Sequence, residues 1–200
     1  TAGCYSAREA VALAHMAREI YGTTWIKLEV IGDRELLAPD VQELLMAARE
    51  LVREGFTVLP FCTTDLIMGQ RLLDAGCVAL MPWAAPIGTA QGLLDMASLR
   101  VLRARLPKAT LIVDAGLGAP SQAAQALEMG YDAVLLNSAV ASAGDPARMA
   151  QAFAAAVQAG RWAYRAGLIE PRDRARASTP VTAPFGASMP RENAAAASAS

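Results

Sequence analysis

The sequence predicts an α/β fold, in which short buried strands of a parallel sheet alternate with longer amphipathic helices. Apolar runs rich in Val, Ile and Leu recur between helical segments, and a glycine often separates a helical segment from the next run. The predicted strands are Trp25 to Ile31, Phe56 to Cys62, Cys77 to Pro82, Thr110 to Asp114 and Ala133 to Asn137. Such units in series build either a doubly wound sheet or a (β/α)8 barrel, and periodicity alone leaves both open.

The helices between these strands carry start and stop signals. Ser6 and Asp40 are each followed by a glutamate three residues later, which is the spacing of a capping box. Asp145-Pro146 places proline at the first helical position after an N-cap. The stops are glycines that can adopt the left-handed conformation before the next strand, namely Gly55, Gly76 and Gly130.

Length and composition limit the kind of protein. The 200 residues suit one domain, predicted over residues 1–177, followed by a flexible tail rich in Ser, Pro and Ala over 178–200. With 54% hydrophobic residues, 18% charged residues and a net charge of -1, the chain is neither disordered nor suited to binding nucleic acid or anionic lipid. Its apolar runs are too short to cross a bilayer, so no membrane association is expected. Three scattered cysteines argue against a disulfide framework and favour the reducing cytoplasm.

The strand predicted at Trp25 to Ile31 has the most informative pattern. Its alternation places apolar side chains on one face and Lys27 and Glu29 on the other. A charged side chain facing an interior is unfavourable unless it is paired or used chemically. Lys27 is therefore a candidate nucleophile for a carbonyl carbon, with Glu29 as a carboxylate that moves protons. The alternative is a structural ion pair or an exposed sheet edge.

A second carboxylate, Asp114, is expected at the carboxyl end of a strand, where α/β proteins keep their sites. Gly116 and Gly118 would then let backbone N–H groups approach an anion such as phosphate, next to the start of a helix. Because this turn lacks the third glycine of a dinucleotide fingerprint, an ordinary tight loop is an equal alternative. Similar loops follow two other strands, at Gly88 and at Asn137.

The sequence gives little support to a metal or cofactor site, and none is predicted. The single histidine, His15, lies in an Ala-rich helical segment, so neither a zinc site nor a Ser-His-Asp triad is expected. His15, Cys62, Trp83 and the methionines are interpreted as packing residues.

Several segments occur in the order found in the thiazole synthases of thiamin biosynthesis, a family that the chain resembles over roughly residues 1–181. The similar segments are Thr1 to Tyr5, Trp25 to Asp33, Gly55 to Pro60, Ala85 to Gly88, Val113 to Gly118 and Val134 to Ala139. The resemblance implies a (β/α)8 TIM barrel. Because members of the family are longer at the N-terminus, the chain is expected to lack the first strands and to carry about five C-terminal βα units.

The resemblance also implies a transferase that condenses 1-deoxy-D-xylulose 5-phosphate, dehydroglycine (2-iminoacetate) and the thiocarboxylate sulfur of a small carrier protein into a phosphorylated thiazole. It implies Lys27 as the Schiff-base lysine and Glu29 and Asp114 as acid/base carboxylates. The positions implied to hold the sugar phosphate are Gly88, Ala115, Gly116, Asn137 and Ser138. The implied partners are the sulfur-carrier protein and further copies of the chain in a homotetramer.

Two positions depart from the family pattern, and two other functions stay open. Ala90 stands where many relatives have glycine, and Asp95-Met96 replaces an Asn-Pro pair.

The first alternative function is a Schiff-base aldolase that acts on a sugar phosphate without protein-bound sulfur. The second is an inactive fragment that only binds partners. Dependence on a carrier thiocarboxylate separates the first alternative from a thiazole synthase, and cooperative melting argues against the second.

Overall fold

The structure is a computed structural model that describes residues 1–176 and 178. In chain order its elements are α1 (Ala7–Tyr21), β1 (Trp25–Leu28), β2 (Ile31–Asp33), β3 (Ala38–Pro39), α2 (Val41–Arg53), β4 (Thr57–Cys62), α3 (Leu66–Asp74), β5 (Ala79–Pro82), α4 (Met96–Arg105), β6 (Thr110–Asp114), α5 (Pro120–Glu128), β7 (Ala133–Leu135), α6 (Ser138–Ala141) and α7 (Pro146–Ala166). Contacts divide the chain into a compact unit, Thr1–Leu168, and a second unit from Ile169. The predicted tail, apart from residue 178, lies outside the described residues.

Five strands form one parallel sheet in the order β1-β4-β5-β6-β7. This spatial order follows the chain, so every crossover advances in the same direction. Since parallel crossovers are right-handed, the helices then collect on one side of the sheet, and the order never reverses as it does in a doubly wound fold. The predicted α/β class with parallel strands is confirmed. The sheet is not closed within the described residues, because β1 and β7 are its two edges.

The alternation of side chains along the strands gives the sheet two different faces. Residues such as Leu28, Val58, Leu80 and Leu111 are almost fully buried and form one core with the helices, including Leu51 of α2. The residues between them point to the other face, which carries Lys27 on β1 and Asp114 on β6. The helices therefore cover one face, and the chemically interesting side chains project from the opposite one.

The first strand ends earlier than predicted. β1 stops at Leu28, three residues before the expected end at Ile31. The backbone leaves the sheet there because Ile31 N–H donates to Cys4 O and Val30 O accepts from Asp40 N–H. Ile31 instead begins β2, which pairs antiparallel with β3. Smaller differences occur at the starts of β4 and β5, predicted one and two residues too early, and at the end of β7, predicted two residues too late.

The helix signals are confirmed in their main features. Ser6 Oγ accepts from Glu9 N–H, and Asp40 Oδ1 accepts from two N–H groups at the start of α2. The return half of each capping box is absent, since Glu9 accepts from Tyr5 N–H and Glu43 accepts from the first N–H of α1. The three glycine stops have φ values of +83, +99 and +91°. No helix within the described residues combines the length and apolar character needed to cross a membrane.

Candidate active site

The carboxyl ends of the parallel strands surround a cavity of about 580 Å³. Its walls come from the end of β1, the loops after β5, β6 and β7, the segment before α1 and the β2–β3 hairpin. All eight site positions implied by the family resemblance contribute to its lining, namely Lys27, Glu29, Gly88, Asp114, Ala115, Gly116, Asn137 and Ser138. The fold thus brings together residues from four separate segments of the chain.

Lys27 and Asp114 form an ion pair inside this cavity. Lys27 Nζ lies 2.6 Å from Asp114 Oδ2, with the carboxylate side chain 3% exposed and the lysine side chain 36% exposed. Burial raises the pKa of the Asp114 carboxyl above its usual value, while the hydrogen bond and charge of Lys27 and the N–H of Ala115 act in the opposite direction. Among the described residues, this Asp114 oxygen has no partner besides Lys27. The arrangement suits exchange of a proton between the amine and the carboxyl.

Glu29 lies directly after β1 and is almost buried at the same cavity. Its backbone is held by Thr1, whose hydroxyl accepts from Glu29 N–H at 2.8 Å and donates to Glu29 O at 2.7 Å. The sequence pattern pointed to Glu29 as the carboxylate beside Lys27. In the structure, Lys27 pairs with Asp114 instead, so the two carboxylates stand in different relations to the amine.

The loops after β5 and β7 approach one another on one side of the cavity. Gly88 has a φ of +77°, and a Cβ added to it would lie 3.8 Å from Ser138 Oγ. Gly116, after β6, has a φ of +74°, and a Cβ there would come within 2.4 Å of Ala85. Only glycine fits at position 116, because both its backbone conformation and its close neighbour exclude a side chain. The three loops are thereby held close enough to contact one small ligand.

The structure corrects one part of the predicted anion site. Gly118 N–H and Ala119 N–H both donate to Gln122 Oε1, at 2.7 and 3.0 Å. These donors cap the start of α5 from within, so they are not free to bind an anion, and this part of the loop agrees with the alternative of an ordinary tight loop. The possible backbone donors to a ligand in this loop are therefore restricted to the region of Gly116.

Two features of the cavity were not predicted as such. Tyr5 contributes to the wall, and the guanidinium of Arg34 lies 4.6 Å from the centre of its ring. Much of the remaining lining is apolar, and it consists of Ile31, Leu37, Ile87, Leu117, Leu135 and Leu136. Tyr5 belonged to a segment that resembles the family, but nothing in the local pattern showed that α1 begins beside the cavity.

The residues interpreted as packing lie outside this lining. Burial raises the pKa of the Cys62 thiol and of the Cys77 thiol to about 12, and it also raises that of Cys4. A thiol with such a pKa is almost wholly protonated at neutral pH and is a poor nucleophile. His15 Nε2 lies 2.7 Å from Glu54. No group of three or more His, Cys, Asp or Glu suited to a metal ion occurs among the described residues.

Ala90 provides a first prediction, because its φ of +55° is unfavourable for any residue with a Cβ. We expect Ala90→Gly to raise the free energy of unfolding by about 1 kcal/mol, since glycine adopts this conformation without steric penalty. The measurement is equilibrium denaturation in urea. Ala12→Gly, at an exposed position of α1, is the matched control and should lower the free energy by about 1 kcal/mol. If Ala90→Gly and Ala12→Gly lower the free energy of unfolding by the same amount, the backbone at Ala90 is not strained.

Comparison with known proteins gives a consistent result. Residues 1–180 match the family of the thiazole biosynthesis protein ThiG. Thiazole synthases from Bradyrhizobium sp. (strain ORS 278) and from Neisseria meningitidis serogroup C are each 61% identical to this chain, over 181 and 186 residues. These matches cover 90% and 92% of this chain and 70% and 71% of the two relatives.

Solved structures show the same likeness. A chain in the crystal structure of the Amycolatopsis orientalis BexX/CysO complex aligns with a TM-score of 0.81 at 33% identity, covering 86% of this chain and 69% of that one. The native KDPGal structure aligns with a TM-score of 0.53 at 23% identity, over 78% of this chain and 66% of that one, and is similar in fold alone.

Proposed function

This chain belongs to the thiazole biosynthesis protein ThiG family and is a thiazole synthase; from that premise we propose that its substrates are 1-deoxy-D-xylulose 5-phosphate, dehydroglycine and the thiocarboxylate of a sulfur-carrier protein. The observation that carries the proposal is the ion pair of Lys27 and Asp114 in a cavity lined by all the implied site residues.

Lys27 forms a Schiff base with the ketone carbon of the sugar phosphate. Its ammonium first transfers a proton to Asp114, whose raised pKa makes it a better acceptor than an exposed carboxylate. The neutral amine then adds to the carbonyl carbon, and the resulting carbinolamine loses water to give the imine. Asp114 can return the proton to the departing oxygen, which leaves as water. Asp114 is then a carboxylate again, as it was at the start.

Glu29 and Asp114 move protons after the imine has formed. A protonated imine acidifies the C–H bonds on the neighbouring carbon, and a carboxylate at the cavity wall can remove one of these protons and return it elsewhere. Two carboxylates allow removal and return at different positions. This tautomerisation prepares the sugar carbon skeleton for entry of sulfur.

The phosphate group is assigned to the loops after β5, β6 and β7. Among the described residues that line the cavity, Lys27 is the single cationic side chain, and it is already paired with Asp114. In the described part of the chain, the groups offered to the phosphate are therefore neutral donors, which are backbone N–H groups and polar side chains. The residues assigned to this role are Gly88, Ala115, Gly116, Asn137 and Ser138.

The sulfur donor and the assembly belong to the same proposal. A sulfur-carrier partner is supported by the similarity to a chain of the BexX/CysO complex.

An eight-stranded barrel is supported by the sequential order of the five strands, which is the order that such a barrel requires. The proposed assembly is a homotetramer, and an apolar stripe on α1, where Leu13, Met16 and Ile20 are exposed, supports contact with another protein surface. A cytoplasmic location agrees with three unpaired cysteines.

Reconstitution distinguishes the proposed reaction from a simple Schiff-base aldolase. The protein is incubated with 1-deoxy-D-xylulose 5-phosphate, dehydroglycine and a carrier protein bearing either a C-terminal thiocarboxylate or an ordinary carboxylate. We expect phosphorylated thiazole only with the thiocarboxylate, measured by mass spectrometry with isotopically labelled sulfur. Cleavage of the sugar phosphate without the carrier would favour the aldolase. A protein that binds the carrier but forms neither product would contradict both enzymatic functions.

A further inference from the structure

Lys27 reaches its carboxylate partner from a distant strand. Lys27 lies on the edge strand β1 and Asp114 on β6, and the strands β4 and β5 separate them. The lysine side chain must therefore extend over the face of the sheet opposite the helices to bring Nζ within 2.6 Å of Asp114. A lysine side chain has many rotamers, so a single ion pair is a weak restraint on its position.

Phe61 of β4 lies under this path. Lys27 is paired in register with Leu59, and Phe61, two residues further along the same strand, points to the same face of the sheet. Phe61 is fully buried, and the centre of its ring is 5.6 Å from Lys27 Nζ. This separation is within the range of about 6 Å over which the face of an aromatic ring attracts a cation.

We propose that Phe61 is a positioning residue that holds the Lys27 amine over the face of the sheet opposite the helices, next to Asp114 and the cavity. The face of the ring attracts the ammonium, and the bulk of the ring limits the positions open to the lysine side chain once the proton has moved to Asp114. Phe61 does not itself line the cavity among the described residues, so it acts through Lys27 rather than on the substrate. This inference rests on the proposed Schiff-base function of Lys27.

The role of Phe61 predicts a specific kinetic change. Misplacement of a reacting group by about 1 Å can slow a reaction roughly 100-fold. We expect Phe61→Leu to slow imine formation about 10- to 100-fold at saturating 1-deoxy-D-xylulose 5-phosphate. The half-saturating concentration should stay unchanged, because the assigned phosphate site is on other loops. The measurement is single-turnover trapping with borohydride, followed by intact mass at several sugar phosphate concentrations.

Three further variants separate positioning from packing. Phe61→Tyr retains the ring and should restore most of the rate, whereas Phe61→Met fills the space without a ring and should be as slow as Phe61→Leu. Phe56→Leu removes another buried phenylalanine, which lies before β4 in the helix-facing core, and should lower the melting temperature without slowing imine formation.

The possible outcomes are distinct. An adduct that forms at the wild-type rate in Phe61→Leu would overturn the positioning role alone, and so would an equal slowing in Phe56→Leu. Absence of any adduct in the wild-type protein would contradict the proposed function and, with it, the role of Phe61.

Discussion

Replacing Lys27 with alanine is expected to abolish the borohydride-trapped adduct with 1-deoxy-D-xylulose 5-phosphate and to lower thiazole formation by roughly 10⁴-fold or more. The physical reason is that no other group in the described lining can form an imine with the ketone. Intact mass before and after reduction measures the adduct, and peptide mapping places it. The chain has only two lysines, Lys27 and Lys108, so the assignment is direct.

Two controls accompany this variant. Lys108→Ala removes the other lysine, which is exposed after α4, and should leave both adduct and product unchanged. Because Lys27→Ala leaves the buried Asp114 carboxylate without its partner, Lys27→Gln is measured as well, since its amide can still donate to that carboxylate. An adduct that persists in a folded Lys27 variant would remove Lys27 from the reaction.

Replacing Asp114 with asparagine should separate proton transfer from imine formation. We expect thiazole formation to fall about 10²- to 10⁴-fold, because asparagine cannot accept or return a proton. The adduct should still accumulate on Lys27 at long reaction times, although more slowly. A time course of adduct and product in the same samples measures both effects. Unchanged thiazole formation would exclude Asp114 as a proton-transfer group.

The same variant has an expected effect on stability. The pKa of Asp114 is raised in the folded protein, so the folded state holds this proton more tightly than the unfolded state does. The free energy of unfolding therefore decreases as the pH rises from the pKa of Asp114 in the unfolded state to its pKa in the folded state. Above that range the ionised Asp114 carboxylate continues to destabilise the folded protein. Asp114→Asn should lose this contribution and melt no lower than the wild type at neutral pH. Asp132→Asn, which weakens a pair with Arg103 far from the cavity, should lower stability but not activity.

Local patterns allowed much of the fold to be predicted. The strand at Thr110 to Asp114 agrees with β6 at both ends, and alternation in the first strand correctly directed Lys27 and Glu29 toward the cavity. These features depend on neighbouring residues, whose periodicity is visible in the sequence. The glycine stops were predictable for the same reason, since a left-handed residue after a helix is a local requirement.

Features that depend on distant contacts were not predictable. β1 ends early because Cys4 and Asp40 bind the backbone of the segment that follows it. The pair of Lys27 with Asp114 joins two strands that are separated by two others, and the capping of Gly118 N–H depends on the orientation of the Gln122 side chain. In each case a side chain or strand had several possible partners, and only the folded chain selects one.

The neutral donors around the assigned phosphate site bear on turnover. In the proposed reaction the phosphate passes unchanged from substrate to product, so the part of its binding that is equally strong throughout the reaction lowers KM without raising kcat. A cluster of arginines would bind substrate tightly and delay departure of the product. Loops such as those at Gly88 and Gly116 provide orientation without a strong charge–charge attraction, which favours rapid release of the finished thiazole.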